Sequence, residues 1–450
     1  MGKDMPALAF LGRVNREESS VIKRVLTKGL GVTLGLSLIA VGAAGQAQAA
    51  DPGISKDKVV IGTTTPLTGI ASPGYKDVSA AAKAYFDYVN ANGGINGRQI
   101  EFVIKDDQYN PAATVTATNE LINQNKVFSL FGALGTANRL AVEETLKAQN
   151  VPDVFINSGS SVFDNPSKYP GVFPFFPSYL VEAKVMASYI QSTAELKDLK
   201  RCLFYQEGEF GENAGAGFAA AGMTFAAQTS YTTAQLVSRN LAPQVTTLKA
   251  AGCQLVVFFG VTSATGLLLG TSAALKFQPK WMVTSVGSEP SIIGGLLAQS
   301  KLDGKALMNG MYTPSFLTPI TDVGNPYVSL MKPIVEGAGL PWNFYTYYGV
   351  NSAYVFAQAL KAAGPNLSRK ALINALQTQS ASFKSAANVP MRITDKSHQG
   401  LLGYWMGQYD SAGTLVRQTK GILIAGNSTT SGKVINATFK PAKAPAKLLP

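Results

Sequence analysis

Residues 88–111 read YVNANGGINGRQIEFVIKDDQYNP and contain, in order, a helix end, a turn, a strand and the start of a second helix. Small and aromatic side chains recur at helical spacing over 78–91, which predicts a helix with one buried face. The Asn-Gly-Gly sequence at 92–94 ends this helix. The apolar run at 99–105 predicts a strand, and Pro111 suits the first turn of the next helix.

The same alternation extends along the N-terminal part of the chain. Further strands are predicted at 59–62, 127–132 and 153–156, and further helices at 111–124 and 136–149. This order of strands and helices predicts a parallel sheet that is covered by helices.

The pattern restarts near residue 181 and continues to 284, with helices and strands of similar length. The last third returns to helices at 326–338, 347–363 and 368–378, followed by a short β-like tail. Two successive α/β units predict an α/β fold with two similarly folded lobes, although the units share no obvious sequence repeat.

The composition excludes several classes of protein. With 46% hydrophobic and 15% charged residues, the 450-residue chain has too much apolar and too little charged content for a disordered protein. The net charge of +12 is scattered, without the run of Lys and Arg typical of a nucleic-acid patch, so no nucleic-acid partner is predicted. One histidine, His398, and two cysteines argue against a metal site. We interpret His398 and the pair Asp106-Asp107 as solvated residues.

The first 49 residues predict a secretory signal peptide. Basic residues at 23–28 precede an apolar run at 30–44, and Ala47-Gln48-Ala49 provides small residues for cleavage. The apolar run is short for a membrane span, so an uncleaved anchor is the lesser alternative. Without a cysteine near the cleavage site no lipid anchor is expected, and the mature protein is predicted to start near Ala50 in the periplasm.

Enzyme motifs are incomplete in this chain. The segment 426–434 has the wrong glycine spacing for a phosphate-binding loop, and 270–274 lacks the last glycine of a nucleophile elbow. A Ser–His–Asp arrangement would depend on His398 alone. The sequence therefore predicts neither an enzyme nor a cofactor.

The two cysteines each open a strand-like run, CLFY at Cys202 and CQLVVFF at Cys253. Outside the cytoplasm two cysteines can pair. If the two strands are neighbours, both sulfurs lie at the same end of the sheet and a disulfide is expected; otherwise they are two buried thiols.

Small polar residues follow two predicted strands, at 132–136 and at 157–161. In open α/β sheets, ligands bind beyond the carboxyl ends of the strands. Free amides and hydroxyls at helix starts suit a carboxylate, but the same residues also serve as simple helix caps. Both interpretations stay open at this point.

The sequence resembles the solute-binding proteins of branched-chain amino-acid ABC importers, a branch of the type I periplasmic binding proteins. The resemblance is carried by 88–111 above all, and by PLTG at 66–69, FGALGTA at 131–137 and VPDVFINSG at 151–159. It implies two Rossmann-like lobes with parallel sheets, joined by a three-segment hinge that crosses near 175, 312 and 402. The expected domains are 50–175 with 313–402, and 176–312 with 403–440; residues 441–450 are expected to fray.

The resemblance also implies site residues. Thr136, after Gly135, is expected to bind a ligand carboxylate, Phe210 to form an aromatic wall, and Tyr75 or its neighbour Gly74 to cover the ligand. Further ligand contacts are expected at Gly159, Ser160, Ser161 and Thr262.

One position departs from the family pattern. The amino-acid-binding members carry an acidic residue after the strand that here reads WMVT, where it meets the ligand ammonium, but this chain has Ser285. Glu289 is the candidate replacement. Without such an acid, an aromatic or aliphatic carboxylate or an amide fits as well as an amino acid. Tyr345, Tyr347 and Tyr348 are interpreted as either an apolar wall of the site or ordinary core.

The resemblance implies a function as well. The chain is expected to capture a small solute, a branched-chain amino acid first, and to deliver it as a monomer to the permease and ATPase of a membrane ABC importer. A ligand sensor of the same fold is the alternative.

Overall fold

The first sheet is parallel throughout and is formed by the strands of the predicted N-terminal unit. The structure, a computed structural model, describes residues 51–450, so the predicted signal peptide at 1–49 lies outside the described residues. The strand order is β2-β1-β3-β4-β5. The strands are β1 (Lys58–Thr65), β2 (Gln99–Asp106), β3 (Ser129–Phe131), β4 (Asp153–Ile156) and β5 (Val172–Pro174). Because neighbouring strands are parallel, their carboxyl ends lie at one edge of the sheet.

The second sheet has the order β12-β11-β10-β9-β8-β6-β7. Its strands are β6 (Arg201–Gln206), β7 (Ala227–Tyr231), β8 (Leu255–Phe259), β9 (Lys280–Val283), β10 (Tyr312–Ser315), β11 (Trp405–Tyr409) and β12 (Leu415–Arg417). Strands β6 to β10 are parallel, and β11 and β12 extend the sheet in antiparallel fashion. An antiparallel hairpin of β13 (Ile422–Ala425) and β14 (Val434–Ala437) follows.

Helices cover the two sheets. In chain order they are α1 (Ser72–Ala91), α2 (Pro111–Asn123), α3 (Thr136–Ala141), α4 (Glu143–Ala148), α5 (Tyr179–Ser192), α6 (Glu209–Ala220), α7 (Thr233–Val237), α8 (Ala242–Ala250), α9 (Thr262–Ala274), α10 (Pro290–Gln299), α11 (Gly304–Met308), α12 (Pro326–Gly337), α13 (Phe344–Ala362) and α14 (Arg369–Gln379). The predicted helix at 136–149 is interrupted, because Val142 has a non-helical backbone (φ −108°, ψ 4°). Helices α12 and α13 pack against α1, so the last third of the chain returns to the first lobe.

The two lobes confirm the predicted fold class. The chain passes from one lobe to the other between β5 and α5, between β10 and α12, and again before β11. Strand β10 ends at Ser315 within the second sheet. The second crossing therefore begins slightly beyond the predicted boundary at 312.

The C-terminal segment differs from its predicted frayed state. After β14 the chain returns to the first lobe, where the Tyr327 hydroxyl donates to the carbonyl of Ala442 at 2.8 Å. Leu448 is buried, and its carbonyl accepts a hydrogen bond from the Tyr85 hydroxyl on α1 at 2.8 Å. The composition of this segment indicated disorder, but an apolar side chain near its end finds a groove between helices of the first lobe.

Two polar residues that we interpreted as solvated are buried. The His398 ring stacks on Phe173, and its Nδ1 lies 2.8 Å from the carbonyl oxygen of Val172. Asp107 accepts hydrogen bonds from the Thr114 hydroxyl at 2.9 Å and the Asn138 amide at 3.3 Å. Burial raises the pKa of Asp107 to about 6. In both cases the residue packs against another element, β5 for His398 and the helices α2 and α3 for Asp107.

Candidate ligand-binding site

The candidate site is the cleft between the lobes, where the loops after β1, β3 and β4 face the loops after β6, β8 and β9. The lobes touch across it. The Ser263 hydroxyl donates to the carbonyl of Ile70 at 2.7 Å, and the Gln206 amide donates to the Tyr109 hydroxyl at 3.2 Å. The structure therefore represents a closed cleft.

Thr136 lies at the start of α3, on the first-lobe side of the cleft. Its hydroxyl is 2.7 Å from the Ser158 hydroxyl, which in turn accepts a hydrogen bond from the backbone N–H of Ser160 at 3.2 Å. Gly135 precedes it with φ of 103°, and a side chain there would collide with Asn138. A glycine is thus needed to turn the chain into α3, and this turn places the Thr136 hydroxyl beside the loop after β4.

The loop after β4 forms much of the contact between the lobes. The Ser160 hydroxyl donates to Glu209 Oε1 at 3.0 Å, and Asn213 bonds both the backbone N–H and the hydroxyl of Ser161. Gly159 lies so close to the Tyr179 ring that a Cβ would stand 2.7 Å from it. Ser160 and Ser161 thus serve the closure of the lobes in this state.

A bulge in β4 sets the direction of this loop. The register between β4 and β5 shifts at Phe155, whose φ of 59° is unusual for a bulky residue. The buried Phe155 ring packs against Phe175, with ring centroids 4.9 Å apart. A bulge re-aims the residues that follow it. Sequence reasoning gave no signal for this feature.

A central cavity of about 30 Å³ remains in the closed cleft. Its wall is largely aromatic, and it is lined by Tyr75, Val78, Asn157, Phe176, Tyr179, Val286, Phe344, Tyr345 and Tyr348. The space corresponds to about one water molecule, so a larger solute needs the lobes to open and the aromatic rings to part. Among the described residues that line this cavity there is no Asp, Glu, Lys or Arg.

Tyr345, Tyr347 and Tyr348 of α13 divide between the two interpretations, cavity wall and ordinary core. Tyr345 and Tyr348 line the central cavity, whereas Tyr347 packs against Trp342 with ring centroids 5.0 Å apart. Tyr348 is buried, and its hydroxyl has no hydrogen-bond partner within residues 51–450. Tyr348 is therefore free to bond a polar group of a solute.

Tyr75 and Thr262 meet at the second-lobe loops. The hydroxyls of Tyr75 and Tyr345 both donate to the carbonyl of Val286 at 2.8 Å, and Thr262 bonds the Tyr345 hydroxyl. Gly74 has φ of 85°, and a Cβ there would collide with the Tyr345 ring. These contacts place Tyr75 in the cavity wall and Gly74 behind it.

Phe210 stands one layer away from the central cavity. It packs against Tyr179, with ring centroids 4.6 Å apart, and Tyr179 lines the cavity. Phe210 is not among the described residues that line the cavity in this closed state.

The backbone of Ser285 binds an acidic residue that the sequence analysis missed. Glu182, on α5, accepts hydrogen bonds from the Ser285 backbone N–H at 2.6 Å and from the Thr284 hydroxyl at 3.0 Å. The Tyr404 hydroxyl reaches its other oxygen at 3.4 Å. Burial raises the pKa of Glu182 to about 7. The only sequence signal was one acidic residue in the first turn of a largely apolar helix.

Glu289 does not line the central cavity among the residues described here. One of its oxygens accepts from the backbone and hydroxyl of Ser291, and the other accepts from the backbone N–H of Phe344 at 3.0 Å. Glu289 therefore caps α10 and also binds the first residue of α13, which belongs to the other lobe. Burial raises its pKa.

We predict that Glu182 makes stability dependent on pH. Its pKa of about 7 lies above the ordinary value of 4.5, so between these pH values the folded state holds a proton that the unfolded state has released. Stability is then lost as pH rises through this window, by about 3 kcal/mol. The side chain in Glu182→Gln cannot titrate. In urea unfolding, the free energy of unfolding of this variant should therefore fall by about 3 kcal/mol less than that of the wild type between pH 4.5 and 7.5. Glu101→Gln, on an exposed site, is the control; parallel curves for Glu182→Gln and wild type would contradict the prediction.

Two general properties of the described chain bear on the function. None of the helices between residues 51 and 450 combines the length and apolar character that a membrane span requires. Within the same range, no group of three or more His, Cys, Asp or Glu side chains is placed to hold a metal ion.

Comparison with known proteins identifies similar chains. Residues 58–414 match the sequence profile of a family described as periplasmic binding protein. A Leu/Ile/Val-binding protein homolog 3 from Brucella melitensis is 27% identical over 223 residues, which cover 47% of this chain and 56% of that protein. The chain thus spans little more than half the length of this relative. An amino acid binding protein from Pseudomonas aeruginosa is 24% identical over 331 residues, covering 70% of this chain and 81% of that protein.

Solved structures show the same fold. A branched chain amino acid ABC transporter from Thermus thermophilus with bound valine has a TM-score of 0.71 and 17% identity. The match covers 83% of this chain and 98% of that structure. At 17% identity the similarity establishes the fold alone. The ligand must therefore be inferred from the residues of the cleft.

Proposed function

Because the chain belongs to the periplasmic binding protein family, we propose that it captures a small solute between its lobes and delivers it to a membrane ABC importer. The family and its structural neighbours are substrate-binding proteins and not enzymes, in agreement with the incomplete enzyme motifs in the sequence. The observation that carries the proposal is the aromatic cavity between two lobes that touch through side-chain hydrogen bonds. A solute that contacts both lobes favours the closed form over the open one.

The proposed ligand carries a carboxylate and an apolar body. The Thr136 and Ser158 hydroxyls, which lie 2.7 Å apart, form a pair of donors for a carboxylate. The aromatic rings of the central cavity supply an apolar surface beside it. We place the carboxylate at Thr136 and the apolar body among these rings.

An organic carboxylate fits this cavity better than an amino acid. A buried ammonium needs a carboxylate partner, and the described residues that line the cavity include none. The oxygens of Glu182 and Glu289 already accept hydrogen bonds from the protein. Amino acids remain the second candidate, because two relatives are named for binding them. Glu182, which binds the Ser285 backbone, is then a candidate partner for the ammonium.

A panel of amino acids, each paired with its deaminated acid, tests the ligand class. A ligand stabilises the folded state by RT ln(1 + [L]/Kd), so a micromolar binder at millimolar concentration adds about 4 kcal/mol. Thermal shifts with the deaminated acids alone would support the first candidate. Shifts with leucine-like amino acids alone would support the second, and no shift with either set would contradict the proposed function.

We predict that Thr136→Val weakens binding of the tightest acid in this panel by 1–3 kcal/mol, or roughly 5- to 150-fold in Kd. Valine keeps the shape of threonine but removes the hydroxyl that meets the carboxylate. Calorimetric titration measures the change. Thr116→Val on the exposed side of α2 is the matched control. An unchanged Kd in Thr136→Val, with unchanged thermal unfolding, would show that the carboxylate binds elsewhere.

We also propose that the chain works outside the cytoplasm as a monomer, after removal of residues 1–49. Its partners are then the permease and ATPase of an importer. Each lobe then comprises one of the two sheets together with the chain segments that lead into and out of it. N-terminal sequencing of the exported protein tests the cleavage site near Ala50. Solute uptake into vesicles that contain a candidate permease and ATPase, with and without this protein, separates transport from a sensor role.

A further inference from the structure

A second cavity, here called the hinge cavity, lies next to the central cavity on the hinge side. Its volume of about 110 Å³ exceeds that of the central cavity. It is bounded by Ile320 from the second crossing, Trp405 at the start of β11 and Leu415 at the start of β12. Ser285 and Glu289, from the loop after β9, form its polar side.

The Phe344 side chain separates the two cavities. Phe344 lines both of them, and the consecutive residues Ser285 and Val286 line one each. The backbone of Phe344 is held by Glu289, whereas its ring is only partly buried. The ring contacts Phe316, Tyr345 and Tyr348, at centroid distances of 5.8, 6.0 and 6.4 Å. The proposal below requires this ring to rotate so that the two cavities join.

The hinge cavity also presents a polar group, the hydroxyl of Ser285. Ser285 is 3% exposed, and its hydroxyl lies close to the Glu182 carboxylate and the Tyr404 hydroxyl without a well-aligned hydrogen bond to either. An oxygen of a ligand can therefore complete the hydrogen bonding of this hydroxyl. Both oxygens of Glu289, by contrast, already accept bonds from protein donors.

We propose that the hinge cavity extends the ligand cleft and receives the far end of an unbranched carboxylic acid whose chain passes Phe344. This inference rests on the proposed function and names its substrate class: acids whose carboxylate binds at Thr136 and whose flexible chain reaches Ser285. The apolar walls suit methylene groups, and the Ser285 hydroxyl suits an oxygen at the far end of the chain. An occupant of this cavity contacts both lobes and the hinge, so it also stabilises the closed form.

The test is a series of unbranched acids from butanoate to decanoate, titrated calorimetrically against the mature protein. Each methylene buried beyond Phe344 should tighten binding roughly fourfold. Ser315→Leu fills the hinge cavity from β10, and Thr414→Leu fills it from a more exposed turn in case the first variant does not fold. In either variant, affinity should stop increasing with chain length once the acid is long enough to reach Phe344.

The outcomes separate the two proposals. Binding of short acids without any gain from longer chains, or a chain-length dependence that survives both filling variants, would overturn the hinge-cavity proposal alone. A chain-length dependence that Phe344→Leu strengthens would support it. Failure of every acid and every amino acid to bind would overturn the proposed function and this inference with it.

Ser285 provides a further check on the far end of the chain. An acid with a terminal hydroxyl should bind more tightly to the wild type than to Ser285→Ala, by about five- to tenfold. The plain acid of equal length is the matched probe and should show no such preference for the wild type. Equal losses for both acids would contradict a contact between Ser285 and the chain end.

Discussion

Asp153→Ala should destabilise the protein by about 3–5 kcal/mol, the cost typical of removing one partner from a buried ion pair. Asp153 lies in β4 and is fully buried, and its carboxylate stands 2.7 Å from Arg139 Nε. The Arg139 side chain is 2% exposed, so without Asp153 its charge keeps only Glu143, at 2.8 Å, as a partner. Burial raises the pKa of Asp153 to about 7, so urea unfolding at pH 8, where the carboxylate is ionised, measures the loss.

Two controls distinguish burial from charge in this prediction. Glu101→Ala breaks the exposed pair with Lys58 and should cost less than about 1 kcal/mol. The double variant Arg139→Met/Asp153→Leu removes both buried charges and should recover most of the loss. A cost for Asp153→Ala no greater than that of the exposed pair would show that water reaches Arg139.

The same ion pair has a consequence for the site. Arg139 is one turn from Thr136 on α3, and Asp153 is just before the bulge that aims the loop after β4. The pair thus fixes the two segments whose hydroxyls, Thr136 and Ser158, lie 2.7 Å apart. The proposed carboxylate site therefore depends on a polar contact beneath the sheet edge as well as on its own donors.

The fold could be predicted because local patterns determine it, and the first-lobe candidate site is proposed from patterns of the same kind. Apolar runs of strand length alternate with helical periodicity, and Asn110 and Pro111 start α2 as their types predict. Thr136 follows Gly135, and a glycine before a helix is a sequence signal for the positive φ that Gly135 adopts. These features depend on residues within one turn or strand of each other.

The second-lobe side of the site could not be predicted in the same way. Glu182 and Ser285 are 103 positions apart, and their contact depends on how α5 packs beside β9. Glu289 was expected in the cleft because of its place in the sequence, but the turn into α10 directs it toward Phe344 of the other lobe. Contacts between residues so far apart in sequence leave no local sequence pattern, so they could not be predicted from a single sequence.

Reduction of the disulfide between Cys202 and Cys253 should cost about 4 kcal/mol of stability, as the entropy of a closed loop of this size predicts. The bond joins residues 51 positions apart, at the beginning of β6 and just before β8, whose strands are neighbours as the sequence hypothesis required. The unfolded chain gains freedom when the bond is broken, whereas the folded lobe keeps its strand pairing. Guanidinium unfolding with and without reductant, and of Cys202→Ala/Cys253→Ala, measures the difference.

Ligand binding should respond far less than stability to the same reduction. The disulfide lies at the amino ends of β6 and β8, and the cleft lies at their carboxyl ends, so the bond and the central cavity are at opposite edges of the sheet. At low denaturant the reduced protein should therefore bind the tightest acid of the panel within about twofold of the oxidised protein. A large loss of affinity under conditions where the reduced lobe stays folded would mean that the disulfide controls the shape of the second-lobe loops. Stability and binding would then depend on one covalent bond, and export to an oxidising compartment would be a condition for function as well as for folding.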